Sequence, residues 1–218
     1  MKKLTILLIT FFGIYLIYNV YKVNKINYVS LNDLVINYDK YVYKHLLDKK
    51  IINNYNNSFN SFSILDLYNT IKNNRTIKEN NEILYLKKVL RESDVLVISV
   101  GMMELINNFN KYNMTINYDY FSKMYSSIQG VIKEIKKYAY GKIIFLGYYN
   151  PTNYYDANID SFFYEINIKL ERLLLENNII YIDLYTMIKE NNYKEKYSFS
   201  LNDLGNKKIA SIINYYLD

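Results

Sequence analysis

Asp94-Val95-Leu96-Val97-Ile98-Ser99-Val100-Gly101 decides the fold. A short run, nearly all apolar and closed by a glycine, is how a strand buried on both faces of a sheet reads. Two more runs of this kind follow, Ile143-Ile144-Phe145-Leu146 before Gly147 and Ile179 to Leu184. Ahead of them, Ile26 to Leu31 is β-rich and ends in the turn-prone Asn32-Asp33, and a weaker strand is expected near Tyr55 to Phe59. Helical spacing fills the intervals. Asp39 to Lys50 is predicted helical, with Asp39 as N-cap and Val42, Leu46 and Leu47 inward. Further helices are expected at Ile64 to about Lys72, at Glu79 to Arg91 through Ile83, Leu84, Leu86 and Leu90, and at Tyr118 to Tyr138, Ile159 to Leu175 and Leu204 to Leu217. Strands alternating with helices predict an α/β fold, a parallel sheet covered on both sides. Residues 23–218 show no repeat, no Pro-rich or Ser-rich linker and no second domain.

Composition narrows the chemistry by subtraction. The 218 residues are 50% hydrophobic and 17% aromatic, enough for a sizeable core. No cysteine is present, which excludes disulfides, thiolate metal sites and a cysteine nucleophile. His45 is the one histidine, so a multi-histidine metal site is excluded and a histidine base has a single candidate. Six glycines leave little for phosphate-cradling loops. The net charge of +6 shrinks on inspection, because residues 1–22 carry three lysines and no acid, leaving 24 basic against 21 acidic residues. The lysine pairs at 49–50, 87–88, 136–137 and 207–208 fall in separate predicted helices among Glu and Asp. Such solvated helix faces speak against a nucleic-acid partner.

Behind Lys2 and Lys3, Leu4 to Tyr21 is an unbroken stretch of eighteen uncharged residues. As a helix it would span roughly 27 Å, just enough for a bilayer core. Tyr15, Tyr18 and Tyr21 stand toward its far end, as interfacial aromatics do. No A-x-A-like cleavage site follows. We expect residues 1–22 to be an uncleaved transmembrane anchor, with membrane contact through residues 4–21. The domain at 23–218 is expected on the extracytoplasmic side.

In open α/β sheets, ligands bind outside the carboxyl ends of the strands. Four segments at those ends carry a family resemblance. Tyr28-Val29-Ser30-Leu31-Asn32-Asp33-Leu34-Val35 resembles the first block of the SGNH, or GDSL, hydrolases, where a hydrophobic strand runs into Gly-Asp-Ser-Leu. Asp94 to Leu105 is similar to their third block, a strand ending in Gly-x-Asn-Asp. Leu146-Gly147-Tyr148-Tyr149-Asn150-Pro151 resembles the Gly-x-Tyr-Asn-Pro turn of many Gram-positive members. Phe199-Ser200-Leu201-Asn202-Asp203-Leu204-Gly205 is similar to the last block, Asp-x-x-His-Pro-x-x-x-Gly. The ordered match spans residues 26–218. It implies a flavodoxin-like three-layer α/β/α sandwich and, for intact members, ester hydrolysis by a serine nucleophile without a cofactor.

Residue by residue the chain departs from that pattern. The nucleophile position is Leu34, the second-block glycine falls at Ser61, and the oxyanion-hole Asn falls at Met103. The triad His falls at Ser200 and its Asp at Tyr197. Ser30, Ser58, Ser61 and Ser63 lack an evident partner base, and His45 in its helix reads as a surface residue. The resemblance therefore implies a pseudoenzyme with a binding or scaffolding role. The alternative is a divergent esterase acting on acyl esters of lipids or cell-wall carbohydrates. Candidate binding residues are Asn32, Asp33, Ser61, Glu104, Asn150, Asn202 and Asp203. They read in two ways: as an oxygen-rich pocket for a carbohydrate, an acyl ester or a hard cation such as Ca²⁺, or as caps and turn ties. No dedicated ion-loop spacing supports a metal site.

Overall fold

The computed structural model describes residues 26–33, 36–49, 57–60, 62–79, 82–111, 116–152, 156–195 and 200–217. In chain order the elements are β1 (Tyr28–Asn32), α1 (Asp39–Asp48), β2 (Asn57–Asn60), α2 (Ile64–Lys72), β3 (Thr76–Glu79), β4 (Glu82–Tyr85), α3 (Leu86–Glu92) and β5 (Val95–Ser99). They continue with α4 (Met102–Lys111), α5 (Tyr118–Ile135), β6 (Lys142–Leu146), α6 (Ala157–Glu176), β7 (Ile180–Ile182), α7 (Leu184–Lys189) and α8 (Asp203–Leu217). Five strands pair in parallel in the order β2-β1-β5-β6-β7. Every residue of β1 and β5 is buried, as unalternating apolar runs require when helices cover both faces.

Chain direction across the sheet reverses once. From β1 the chain steps outward to β2, then crosses back to β5 and continues through β6 to β7. Right-handed crossovers then place α1 on one face and α2, α5 and α6 on the other. Contacts agree: Gly130 of α5 lies against Tyr68 of α2, and the Tyr125 hydroxyl donates to the Lys169 carbonyl of α6 at 3.2 Å. On the opposite face α8 packs on α1, and the Asn37 amide ahead of α1 donates to Asn206 Oδ1 of α8 at 2.9 Å. The carboxyl ends of β1 and β5 thus flank the switch point of the sheet, where such folds hold ligands.

The strands and long helices stand within a few residues of their expected bounds, with four differences. Glu79 to Arg91 is not one helix: β3 and β4 form an antiparallel hairpin with Glu79 opposite Glu82, and only Leu86–Glu92 is helical. Thr76, Ile77, Ile83 and Tyr85 are strand formers, and alternation puts Ile77 and Leu84 against the core while Ile83 is 71% exposed. Leu47, expected inward, is exposed, since Val42 and Leu46 alone occupy the buried stripe of α1. Asp39 does not cap α1. It sits in the first turn, and its carboxylate accepts from the Tyr28 hydroxyl at 2.8 Å and the Asn32 amide at 2.6 Å. Helices α4 and α7 were not foreseen. Among the described residues no helix is long and apolar enough to cross a membrane, and the expected anchor at 1–22 lies outside them.

One buried amide fixes the turn after β6. Asn167 of α6 accepts from the Tyr148 amide and donates to the Tyr148 carbonyl, both at 2.8 Å. Its Oδ1 also accepts from the Tyr181 hydroxyl of β7 at 2.7 Å. A Cβ at Gly147 would come within 2.7 Å of that oxygen, so this close approach requires glycine. Asn167→Leu would strand the Tyr148 amide and carbonyl in a dry interior. It is expected to cost roughly 2–4 kcal/mol in urea denaturation.

Candidate functional site

The switch point is built from helix beginnings. The ladder between β1 and β5 runs one residue further through the Asp33 amide, which donates to the Ser99 carbonyl at 3.0 Å. Gly101, at φ +97°, then turns β5 into α4, and a Cβ there would come within 2.4 Å of the Tyr148 hydroxyl. That hydroxyl donates to the Val100 carbonyl at 2.9 Å and pins the turn from the β6 side. The first amides of α4 have no partner within the helix, and the buried Asp33 carboxylate accepts from one of them, Met103 N–H, at 2.8 Å. Glu104, the next residue, reaches across to α2 and accepts from the Ile64 amide at 3.1 Å. Ser63 caps α2, its Oγ accepting from the Asp66 amide at 3.0 Å while donating to the Asp66 carboxylate at 2.6 Å.

These groups surround a cavity of about 340 Å³ lined by Asp33, Phe62, Ser63, Asp66, Met103, Glu104 and Asn107. Its wall carries three carboxylates and no basic side chain among the described residues. Burial raises the Glu104 carboxyl above its ordinary range, and the charge of Asp66 adds to the rise, against the opposing bond from the Ile64 amide. No group of three or more His, Cys, Asp or Glu among the described residues is arranged to hold a metal ion.

Of the candidate binding residues, Asp33 and Glu104 meet at this cavity and the other described ones do not line it. Asn32 is buried at the end of β1, donating to Asp39. Asn150 closes its own turn, its Oδ1 accepting from the Thr152 amide at 2.9 Å and hydroxyl at 2.7 Å. Asn202 caps α8 by accepting from the Gly205 amide at 2.9 Å. Asp203 pairs with Lys207 of its own helix at 2.8 Å and ties α8 to α1 through Lys40 at 3.6 Å and the Tyr41 hydroxyl. Hydrogen bonding to Lys207 holds its carboxyl below the usual range. Ser61 lies outside the described residues, as do Leu34 and Tyr197 at the nucleophile and triad-acid positions.

Met103 sits at the mouth of the cavity with an aliphatic side chain, so the oxyanion-hole position supplies no side-chain donor. Ser200 is half-buried, its carbonyl accepting from the Glu195 amide at 3.0 Å beside the Lys194–Leu201 bridge. His45 stands in the last turn of α1, where it is half-buried with its Nε2 buried rather than on the surface as expected. Because β1 and β2 are parallel, α1 must run back from the carboxyl edge, which carries His45 away from the cavity. Besides Met103, four wall residues, Phe62, Ser63, Asp66 and Asn107, are not among the binding candidates read from the sequence. Ser63-Ile64-Leu65-Asp66 has capping-box spacing before an apolar helix, which is a readable signal.

No family model matches the chain, and no curated protein sequence matches it. Its fold is shared with solved structures. A lipase from a goat rumen metagenome superposes with a TM-score of 0.63 at 13% identity, covering 86% of this chain and 95% of its own. The acetyl xylan esterase AlAXEase gives 0.57 at 20% identity, covering 88% and 100%. Axe2, an acetylxylan esterase from Geobacillus stearothermophilus, gives 0.65 at 11% identity, covering 89% and 95%. Two solved variants of Axe2 described as catalytic mutants replace a histidine and a serine by alanine. The α/β architecture, a parallel sheet between helices, is that of these esterases.

Glu104 offers a pH test of the cavity. A carboxyl raised on folding stabilises the fold below its unfolded pKa, and that contribution is lost as pH rises through the folded value. Glu104→Gln keeps an acceptor for the Ile64 amide and removes the charge beside Asp66. Thermal melts should show it matching wild type near about pH 4 and exceeding it near about pH 7. Asp33→Ala, which strips a cap from α4, should instead lose about 1 kcal/mol at neutral pH.

Proposed function

We propose that this chain is a membrane-tethered SGNH-like domain that has given up ester hydrolysis and binds a carbohydrate ligand, acylated or not, at the Asp33–Glu104 cavity. One observation carries the reading: where acyl transfer needs donors for a developing oxyanion, this cavity presents Asp33, Asp66 and Glu104. The Met103 amide that could point at an oxyanion already donates to Asp33. Negative charge developing there would be repelled. A sugar, by contrast, brings hydroxyl donors that carboxylates and Asn107 accept, and Phe62 offers an apolar face for its C–H groups. The family positions at Leu34, Met103, Tyr197 and Ser200 supply no serine–histidine–acid set. Tethering rests on the eighteen uncharged residues from Leu4 to Tyr21, and the absence of cysteine accords with an oxidising exterior.

A second reading, a divergent esterase, is favoured by the 2.6 Å bond from the Ser63 hydroxyl to Asp66 at the same edge. A carboxylate is a weak base toward serine, and this pair already forms a helix cap. A fluorophosphonate serine probe separates the two. We expect no stoichiometric labelling and no turnover of p-nitrophenyl acetate or butyrate above buffer. Calorimetric titration with acetylated and unsubstituted xylo-oligosaccharides and with cell-wall glycan fragments should detect binding, weakened at least about tenfold by Phe62→Ala. Labelling of one serine, abolished by Ser63→Ala, would establish the esterase instead.

A further inference from the structure

The described chain begins at the edge of the sheet opposite the cavity. Asn27, next to the first residue of β1, accepts from the Asp94 amide at 3.0 Å and donates its own amide to the Asp94 carboxylate at 2.7 Å. Only Lys22, Val23, Asn24 and Lys25 separate Tyr21 from Ile26. Fully extended, the five steps from Tyr21 to Ile26 reach at most about 18 Å. A domain of this size has a radius of gyration of roughly 16 Å, so so short a tether holds the edge it leaves against the bilayer.

That edge carries surface chemistry suited to such a position. Tyr140, in the turn entering β6, is 79% exposed, and Tyr215, in the last turn of α8, is 78% exposed. Leu175, in the last turn of α6, is also exposed. Two lysines tie together the elements that carry them. Lys142 donates to the Tyr216 carbonyl, joining the start of β6 to the end of α8. Lys136 donates to the Asn177 carbonyl at 2.8 Å, joining the ends of α5 and α6. Both acceptors are neutral, so both ammonium charges remain available to an anionic surface. Acids are present at this edge too, in Asp94 and Glu176, while Glu134 is paired with Lys137. Cations in last helical turns complement the helix dipole, but that rule gives no reason for exposed tyrosine and leucine beside them. Tyrosine at headgroup depth and lysine against anionic lipid are what a membrane interface selects.

We propose that the amino edge of the sheet, through Tyr140, Tyr215, Leu175, Lys136 and Lys142, docks on the surface of an anionic lipid bilayer, so that the Asp33–Glu104 cavity faces away from the membrane. This rests on residues 4–21 spanning the bilayer, and the test separates the two. The chain has no cysteine, so Tyr140→Cys, Tyr215→Cys and, at the carboxyl edge, Leu204→Cys each give a single label site. Full-length chains carrying a bimane label are reconstituted into equimolar phosphatidylglycerol and phosphatidylcholine containing a headgroup nitroxide lipid. Quenching at 140 and 215 should exceed that at 204 at least about threefold, and the contrast should shrink in phosphatidylcholine alone. Equal quenching at all three sites in chains that resist alkaline carbonate extraction overturns the docking and leaves the anchor standing. Extraction of the chain by carbonate overturns both. An undiminished contrast in phosphatidylcholine alone overturns the assignment to anionic lipid.

Discussion

The bond from the Met103 amide to the Asp33 carboxylate, at 2.8 Å, is the constraint on which the site turns. In a parallel sheet with helical crossovers, helices begin at the carboxyl edge, and their first amides have no partner within the helix. Those donors must be satisfied by water, ligand or side chain. Here side chains take several of them: Asp33 for α4, Glu104 and Ser63 for α2, Asn117 for α5, Asp156 for α6, Asp183 for α7 and Asn202 for α8. An amide bonded to a carboxylate is not available to a substrate oxygen. The carboxylate also brings its own charge to the place where an acyl-transfer transition state would develop the same sign.

The cost of that arrangement is visible at Glu104. Capping α2 draws its carboxyl out of water and toward Asp66, and both effects oppose ionisation. A hydroxyl or an amide could cap α2 without that cost. Holding Glu104 and Asp66 around one cavity therefore costs stability, which hydroxyl donors of the proposed ligand would offset.

Legibility in the sequence followed how local each determinant is. Val95 to Ser99 could be read because burial on both faces writes itself into consecutive apolar residues. The hairpin at Thr76–Tyr85 could not, because Ile83, Leu84, Leu86 and Leu90 satisfy helical spacing as well as two strand residues followed by a short helix. Asp33 and Glu104 were identifiable as polar residues in edge loops. Their partners were not, since Met103 lies 70 positions from Asp33 and Ile64 lies 40 from Glu104. Asn167 shows the remaining kind of loss: within the stripe of Phe163, Ile166 and Leu170 it looks like a defect in periodicity, yet it carries the turn after β6.

Helix-end electrostatics also give the domain a direction. Asp33, Asp66, Glu104, Asp156, Asp183 and Asp203 collect where helices start, whereas Lys136, Lys137 and Lys142 stand where helices end and β6 begins. Each such placement contributes only about 0.3–1 kcal/mol to its own helix. Their sum over a parallel fold is larger in effect, because the helices following the strands run one way and their acidic N-terminal caps gather at one edge. The carboxyl edge thereby gathers carboxylates around the cavity, while the opposite edge mixes Lys136 and Lys142 with Asp94 and Glu176. An anionic bilayer would repel the acidic edge. The capping that disfavours oxyanion chemistry at the cavity thus also disfavours placing that cavity against an anionic surface.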